Sequence, residues 1–325
     1  MNKPGLKVAV IGASGIGKNH ARWFHQHGCD VCAFAGSSPE SVQRTQKVLE
    51  ESFGFSGRGY SDVSTMLREA KPDAVCVSSL PPLHFGHTMQ CLAAGTHVLC
   101  EKPLVYDASK SMGELMAEAR QMVNEATSRG QLLGTQMQYA VAVEKLLELA
   151  GVEAHEVREF TMEMESKNLK HGREYEPIWI DLSPHPLSVL QKAMDNMEID
   201  ENSIQCQVRA YESEAHFQLH DIDISRAIAA HIIVRYNPDA ATPLRCFTIN
   251  GRRINYAGRK DAQGEFRTYL TTESGQEIEL PDFVDTLIGN FVAACQGQEQ
   301  LLVTGADGAQ NVEWQLKILG AGQRV

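Results

Sequence analysis

The stretch VAVIGASGIGKNHARWF, Val8 to Phe24, joins a branched apolar run to a helical pattern through Gly12, Gly15 and Gly17. Peptide N–H groups at a helix start bind phosphate oxygens, and glycine allows the close approach that a pyrophosphate needs. Gly12, Ser14, Gly15, Ile16 and Gly17 are therefore candidates to cradle a dinucleotide. The string reads GASGIG, with Ser14 where a strict GxGxxG has its second glycine; serine is small and can donate a hydrogen bond. Alone, the string is a tight strand-to-helix turn. Its place as the first βα turn of a βαβ series favours the dinucleotide.

A second candidate is HVLCEKPL, His97 to Leu104, where a strand pattern ends in Glu101, Lys102 and Pro103. Strand carboxyl ends line the ligand crevice of an open parallel sheet, although an adjacent acid and base are often only a solvated pair. A third is WIDLSPHPLSVL, containing Asp181 and His185. There Ser183 is a good N-cap and Pro184 a good first helical residue. His185 would then sit in the first turn, where the helix dipole favours neutral imidazole, the form a general base needs.

These residues need a frame. Up to residue 129 short apolar runs (LKVAVI, CDVCAFA, DAVCVSS, THVLCEKP) alternate with helical patterns, among them Glu40 to Ser52 and Ala108 to Ser128. That alternation predicts right-handed βαβ units on a parallel, doubly wound sheet. From residue 130 the texture changes to alternating or branched runs such as EVREFTMEME, AIAAHIIVRY and EFRTYLTT, which predict an α+β domain on a largely antiparallel sheet. A terminal helix, Gly308 to Leu319, is expected to pack back on the first domain. The predicted division is 1–129 for the dinucleotide-binding domain and 130–325 for substrate binding and oligomerisation.

With 325 residues, 43% of them hydrophobic, the chain can bury more than one core. Its net charge of -11 argues against a nucleic-acid partner, which selects a basic footprint. No apolar run is long enough for a bilayer and the start does not read as a leader, so the expectation is a soluble, cytoplasmic protein. Eight scattered cysteines read as reduced, packed thiols, including the CxxC of Cys29 and Cys32. His20, His25 and His27 lack the i, i+4 spacing of a helical metal pair, and no metal is expected there.

GASGIGKNH, SSLPPLH (Ser78 to His84) and CLAAGTHVLCEKPL resemble, in order and spacing, the Gfo/Idh/MocA family of glucose-fructose oxidoreductase, inositol dehydrogenase and MocA proteins. IGNFVAACQGQEQLLVTGADG resembles, more loosely, that family's penultimate helix and loop. The resemblance implies an N-terminal Rossmann domain and a C-terminal α+β domain whose open sheet builds oligomers, here a homodimer or homotetramer. It implies that Lys102 is the catalytic lysine of an EKP motif, and that Asp181 and His185 are a DxxxH catalytic pair. Hydride would pass between a secondary alcohol carbon and nicotinamide. His185 would accept the hydroxyl proton, Lys102 would hydrogen-bond the developing alkoxide, and Asp181 would orient the pair.

Ser188 stands where the family often has a second acid, which leaves the substrate open among sugars, cyclitols and related polyols. Ser79, Leu80 and His84 match a segment along the cofactor, with Leu80 and Pro81 replacing the usual Pro and Asn. Glu101, Lys102 and Gln136 fall near the nicotinamide, and His20 matches a first-helix histidine read as structural. Alternatives of other classes are a non-catalytic dinucleotide sensor and a reductase of an imine, biliverdin-like or dihydrodiol substrate. Retention of Lys102, Asp181 and His185 together argues against the sensor.

Two further stretches bear on specificity. Enzymes using NAD commonly place Asp or Glu at the end of the second strand, where it binds the ribose hydroxyls and repels a 2′-phosphate. Here that position is Gly36, followed by Ser37 and Ser38, with Arg44 further on and no acid before Glu40; NADP is the expected preference, with NAD the alternative. KNLKHGREYEPIW offers Lys167, Lys170, His171, Arg173, Tyr175 and Trp179 before Asp181 as a solvated loop or a substrate-recognition segment.

Overall fold

The computed structural model describes residues 5–167, 178–194, 196–209, 211–221 and 226–324. Two units make up the chain: Met1–Met137 with Val284–Gln310, and Gln138–Phe283 with Asn311–Val325. Among the described residues no helix is long and apolar enough to cross a membrane.

In the first unit, strands β1 (Lys7–Ile11), β2 (Asp30–Ala35), β3 (Arg58–Tyr60), β4 (Ala74–Val77), β5 (His97–Glu101) and β6 (Leu133–Gln136) alternate with helices α1 (Gly17–Gln26), α2 (Pro39–Phe53), α3 (Val63–Ala70), α4 (His84–Ala93) and α5 (Met112–Ser128). The strands run parallel in the order β3-β2-β1-β4-β5-β6, the doubly wound Rossmann arrangement. Burial explains the sequence of its central strands. Val8 to Ile11 and Ala74 to Val77 are all buried, as strands covered on both faces require. Helix starts follow local chemistry: Ser38 accepts from the Ser41 N–H, and Ser111 forms a capping box with Glu114. That box starts α5 at Met112, later than the periodicity from Ala108 predicts.

The boundary expected near Arg129 falls one strand short. Leu133–Gln136 pairs in parallel with β5 and completes the first sheet. A later segment also belongs to this unit: helix α9 (Phe283–Cys295) sends Ile288, Phe291 and Val292 into one core with Val8, Val10, Phe24, Phe34 and Leu99. The terminal helix, Gly305–Gly320, is divided, with residues up to Gln310 in the first unit and the rest in the second.

The second unit holds α6 (Val143–Ala150), β7 (Glu159–Ser166), α7 (Ile178–Leu182), α8 (Pro184–Ala193), β8 (Met197–Val208), β9 (Glu212–Asp221), β10 (Ala227–Tyr236), β11 (Arg245–Ile249), β12 (Arg252–Lys260), β13 (Phe266–Thr272) and β14 (Glu277–Pro281). After α9 and α10 (Gly305–Gly320) comes β15 (Gln323–Arg324). These strands form one sheet in the order β14-β13-β12-β11-β7-β10-β9-β8-β15. It is mostly antiparallel, with parallel pairs at β7·β10 and β8·β15. Alternation gives it two faces. Phe160, Met162, Phe217, Leu219, Ile232 and Phe247 are buried on one, while Glu163, Glu214, His216, Gln218 and His231 lie on the other. The outward face is therefore polar.

Candidate active site

The carboxyl ends of β1, β4, β5 and β6 come into line: Ile11 pairs with Val77, Val77 with Cys100, and Glu101 with Gln136. The glycine turn and the Glu101–Lys102 dipeptide thus leave the sheet along one edge. Gly12 has φ +86°, and a Cβ there would lie 2.6 Å from the Ser78 carbonyl oxygen and 2.8 Å from the Ser79 nitrogen. A Cβ on Gly17 would strike the Gly12 oxygen at 2.6 Å. Both glycines are dictated by backbone packing. Ser14, Gly15 and Ile16 are exposed, and a Cβ on Gly15 would meet nothing within 4 Å. Helix α1 begins directly behind them with no side-chain cap at Ile16, so no side chain covers its first N–H groups.

Around this edge the structure distributes the other predicted residues. Ser37 is exposed, whereas Ser38 is half-buried and uses its hydroxyl to cap α2. Glu40 sits in the first turn of that helix, its carboxyl held below the usual range chiefly by its own backbone N–H and by the Ser38 hydroxyl. Arg44 is exposed. Leu80 is 61% exposed. His84 is buried, with Nδ1 2.8 Å from the Pro103 carbonyl oxygen and Nε2 2.9 Å from that of Ser79. It thereby ties the loop after β4 to the loop after β5. The Ser79 hydroxyl meets Nδ1 of His87 at 2.9 Å.

Lys102 is half-buried, joined to Pro103 by a cis peptide bond, and its N–H donates to Oε2 of Glu101 at 3.2 Å. Oε1 of Glu101 forms an ion pair with Nε2 of His20 at 3.0 Å, and Nδ1 of His20 lies 3.1 Å from the Cys76 sulfur. Burial disfavours the imidazolium, but Cys76 and Glu101 outweigh it and raise His20 to about 10. Gln136 is buried beside Glu101 in the register; its Nε2 reaches the Val284 carbonyl oxygen at 3.5 Å, while its Oε1 has no hydrogen-bond partner among the described residues.

The first-helix histidines take separate directions. His20 faces Cys76 and Glu101, His25 lies 5.1 Å from the Phe53 ring, and Nε2 of His27 is 2.8 Å from Oδ1 of Asp285. All eight cysteines are free. In the CxxC, burial pushes Cys29 up to about 12 and raises Cys32, so neither thiol is primed for exchange.

In the second unit, Asp181 and His185 stand on adjoining helices, α7 and α8. Pro184 is the first residue of α8 and His185 the second, as the sequence predicts. Ser183 does not cap. It is helical at φ -63°, ψ -22°, because α7 runs directly into it, and its N–H donates to the Trp179 carbonyl. His185 is 6% exposed and its ring meets Tyr139 edge-on, with centroids 4.9 Å apart. Tyr139 is fully buried, which pushes its phenol far above the usual range; Tyr256 and Phe247 pack around it. Ser188 turns inward and donates to the His185 carbonyl at 2.7 Å.

Sequence reasoning missed what holds this junction. Asn311 Nδ2 donates to the Pro184 carbonyl at 3.1 Å and to Oε1 of Gln191 at 2.7 Å, and Gln315 Nε2 donates to Asn311 Oδ1. The i, i+4 spacing of Asn311 and Gln315 was the available signal. Trp179 corrects an expectation: it is fully buried, donating its indole N–H to the Gln315 carbonyl at 3.1 Å, and is part of the support for α7 rather than of a recognition loop. Lys167 is exposed and donates to the Ala241 carbonyl. Lys170, His171, Arg173 and Tyr175 lie outside the described residues.

With this geometry in place, comparison with known proteins agrees with the first unit. Residues 6–136 match the Gfo/Idh/MocA oxidoreductase family, NAD-binding Rossmann fold. D-glucoside 3-dehydrogenase of Escherichia coli (strain K12) is 30% identical over 146 residues, 44% of this chain and 38% of that protein. The chain thus spans about two fifths of the length of that relative. At the level of fold, UDP-N-acetylglucosamine 3-dehydrogenase GnnA from Acidithiobacillus ferrooxidans superposes with a TM-score of 0.74 at 18% identity, covering 98% of each chain. Scyllo-inositol dehydrogenase from Lactobacillus casei, solved with NAD(H) and scyllo-inositol, gives 0.73 at 16% identity over 98% of this chain and 97% of its own.

Proposed function

We propose that the protein is a nicotinamide-dependent oxidoreductase that moves a hydride between the dinucleotide and a secondary alcohol or ketone of a sugar, cyclitol or related polyol. The observation that carries the reading is the alignment at one edge of the first sheet, where Gly12 closes against Ser78 and Ser79 while Lys102 follows the strand beside it. The cradle suits a pyrophosphate: Gly12 and Gly17 admit no side chain, and the space over Gly15 is open. Its closest contacts would come from Gly12, Ser14, Gly15, Ile16 and Gly17, with Ser37, Ser79, Leu80, Glu101, Lys102 and Gln136 along the rest of the dinucleotide.

When bound, the nicotinamide supplies the hydride acceptor or donor. His185 takes the hydroxyl proton during oxidation and returns it during reduction, and Tyr139 fixes the plane of its ring. Lys102 donates to the substrate oxygen as negative charge develops there, which stabilises the transition state more than the alcohol. Asp181 orients the pair. His84 and the His20–Glu101 ion pair hold the segment from which Lys102 emerges. NADP is the proposed preference, because no carboxylate stands at Gly36 to repel a 2′-phosphate, and NAD is the alternative. A homodimer or homotetramer in a reducing compartment such as the cytoplasm is proposed with it; light scattering tests the assembly.

Purified protein assayed against sugars and cyclitols with both dinucleotides tests the function. Turnover of a polyol supports it. Tight dinucleotide binding with no turnover on polyols, imines or dihydrodiols would favour the sensor instead.

A further inference from the structure

The outward face of the second sheet gathers three residues of metal-ligand type. Glu214 and His216 are two positions apart on β9 and so project to the same side. His231 on β10 is the direct cross-strand partner of His216. The two imidazoles stack, with centroids 3.8 Å apart and planes within 18°. Oε1 of Glu214 lies 2.8 Å from Nε2 of His231 and 3.3 Å from Nε2 of His216. One ligand atom from each residue falls within 4.8 Å of the other two.

A solvated ion pair needs one imidazole and one carboxylate. Here a second imidazole, stacked on the first, aims the same nitrogen at the same oxygen. Two clefts of about 450 Å³ each open over His216, one shared with His231 and Ser203, the other with Glu214 and Gln207. An incoming ion therefore has room and a polar approach. Further along β10 the Arg235 guanidinium is held by Glu212 and Glu163, which neutralises that cation.

We propose that Glu214, His216 and His231 form a binding site for one divalent transition-metal ion of the zinc class, with water as fourth ligand. Two imidazole nitrogens and one carboxylate oxygen suit Zn²⁺ or Co²⁺ and are poorly matched to Mg²⁺ or Ca²⁺, which prefer oxygen. Metal–ligand bonds of about 2.0–2.2 Å place tetrahedral ligand atoms roughly 3.3 Å apart. The Glu214–His216 contact already has that spacing; the Glu214–His231 contact lengthens slightly and the two stacked rings splay by side-chain rotation so that both nitrogen lone pairs converge on the ion. The ligands belong to β9 and β10, separate from the helices that carry Asp181 and His185, so the site stands independently of the proposed reaction.

The test is calorimetric titration of chelator-stripped protein with ZnCl₂, followed by the visible spectrum with CoCl₂. The expected result is one ion per chain, a four-coordinate Co²⁺ spectrum, and affinity weakened about tenfold or more by His231→Ala and by His216→Ala, each variant retaining the wild-type melting profile. His216 is exposed, so its replacement leaves the buried core intact. Absence of binding would overturn the proposal. So would affinity unchanged in both variants, because the ion would then be held elsewhere.

Discussion

Nε2 of His20, in the first helix, lies 3.0 Å from Oε1 of Glu101, the residue before Lys102. His20 is fully buried and its pKa is raised to about 10, so the pair is ionic through the neutral range. A raised pKa stabilises the fold fully below the unfolded value near 6.5, and that stabilisation is lost as pH climbs toward 10. His20→Gln should therefore cost about 3 kcal/mol at pH 6, with the gap from wild type narrowing by pH 10. Denaturant unfolding at both pH values checks this; a constant gap would mean that the imidazole is neutral in the folded protein.

Lys102→Ala should leave the dinucleotide dissociation constant within a few-fold of wild type and lower kcat by about a hundredfold or more, the scale of losing one donor to a developing oxyanion. Fluorescence titration and steady-state kinetics separate the two. Equal losses in binding and turnover would make Lys102 a cofactor ligand only.

For His185→Ala the expected loss in kcat is about a hundredfold to ten-thousandfold. The shape of the pH profile is more telling. In the oxidation direction a base must be deprotonated, so the wild-type rate falls on the acidic side and the variant should lose that limb. Retention of the limb would assign it to another group and leave His185 as the packing partner of Tyr139.

Selectivity between dinucleotides should be set at Ser37, which is exposed after β2, while Ser38 is occupied in capping α2. Ser37→Asp is expected to weaken NADPH and favour NADH, by repulsion of the 2′-phosphate and by bonding to the ribose hydroxyls. Dissociation constants for both dinucleotides are the measurement. Several-fold tighter NADH binding in the wild-type protein would remove the proposed preference.

The first sheet was legible because its information is local: buried parallel strands read as unbroken apolar runs, and Gly12 announces its turn by needing no side chain. Pro184 likewise marked the start of α8. Long-range placement was not legible. Nothing near Phe291 says that it packs on Phe24, with ring centroids 6.2 Å apart, and Trp179 reads as exposed beside a charged stretch until Gln315 supplies its acceptor. Glu214 and His216 show a strand spacing, but His231 joins them only through the β9·β10 register, which no single strand encodes.

The return of α9 to the first unit has a consequence for the order of biosynthesis. Phe24, Phe34 and Leu99 share their core with Ile288, Phe291 and Val292, which leave the ribosome about 150 residues after the last strand of their own sheet. At ordinary translation speeds that delay is on the order of ten seconds. During it the nascent Rossmann half carries an uncovered apolar wall, so this chain, unlike one whose domains are contiguous, must postpone sealing its first core until the second unit has been made.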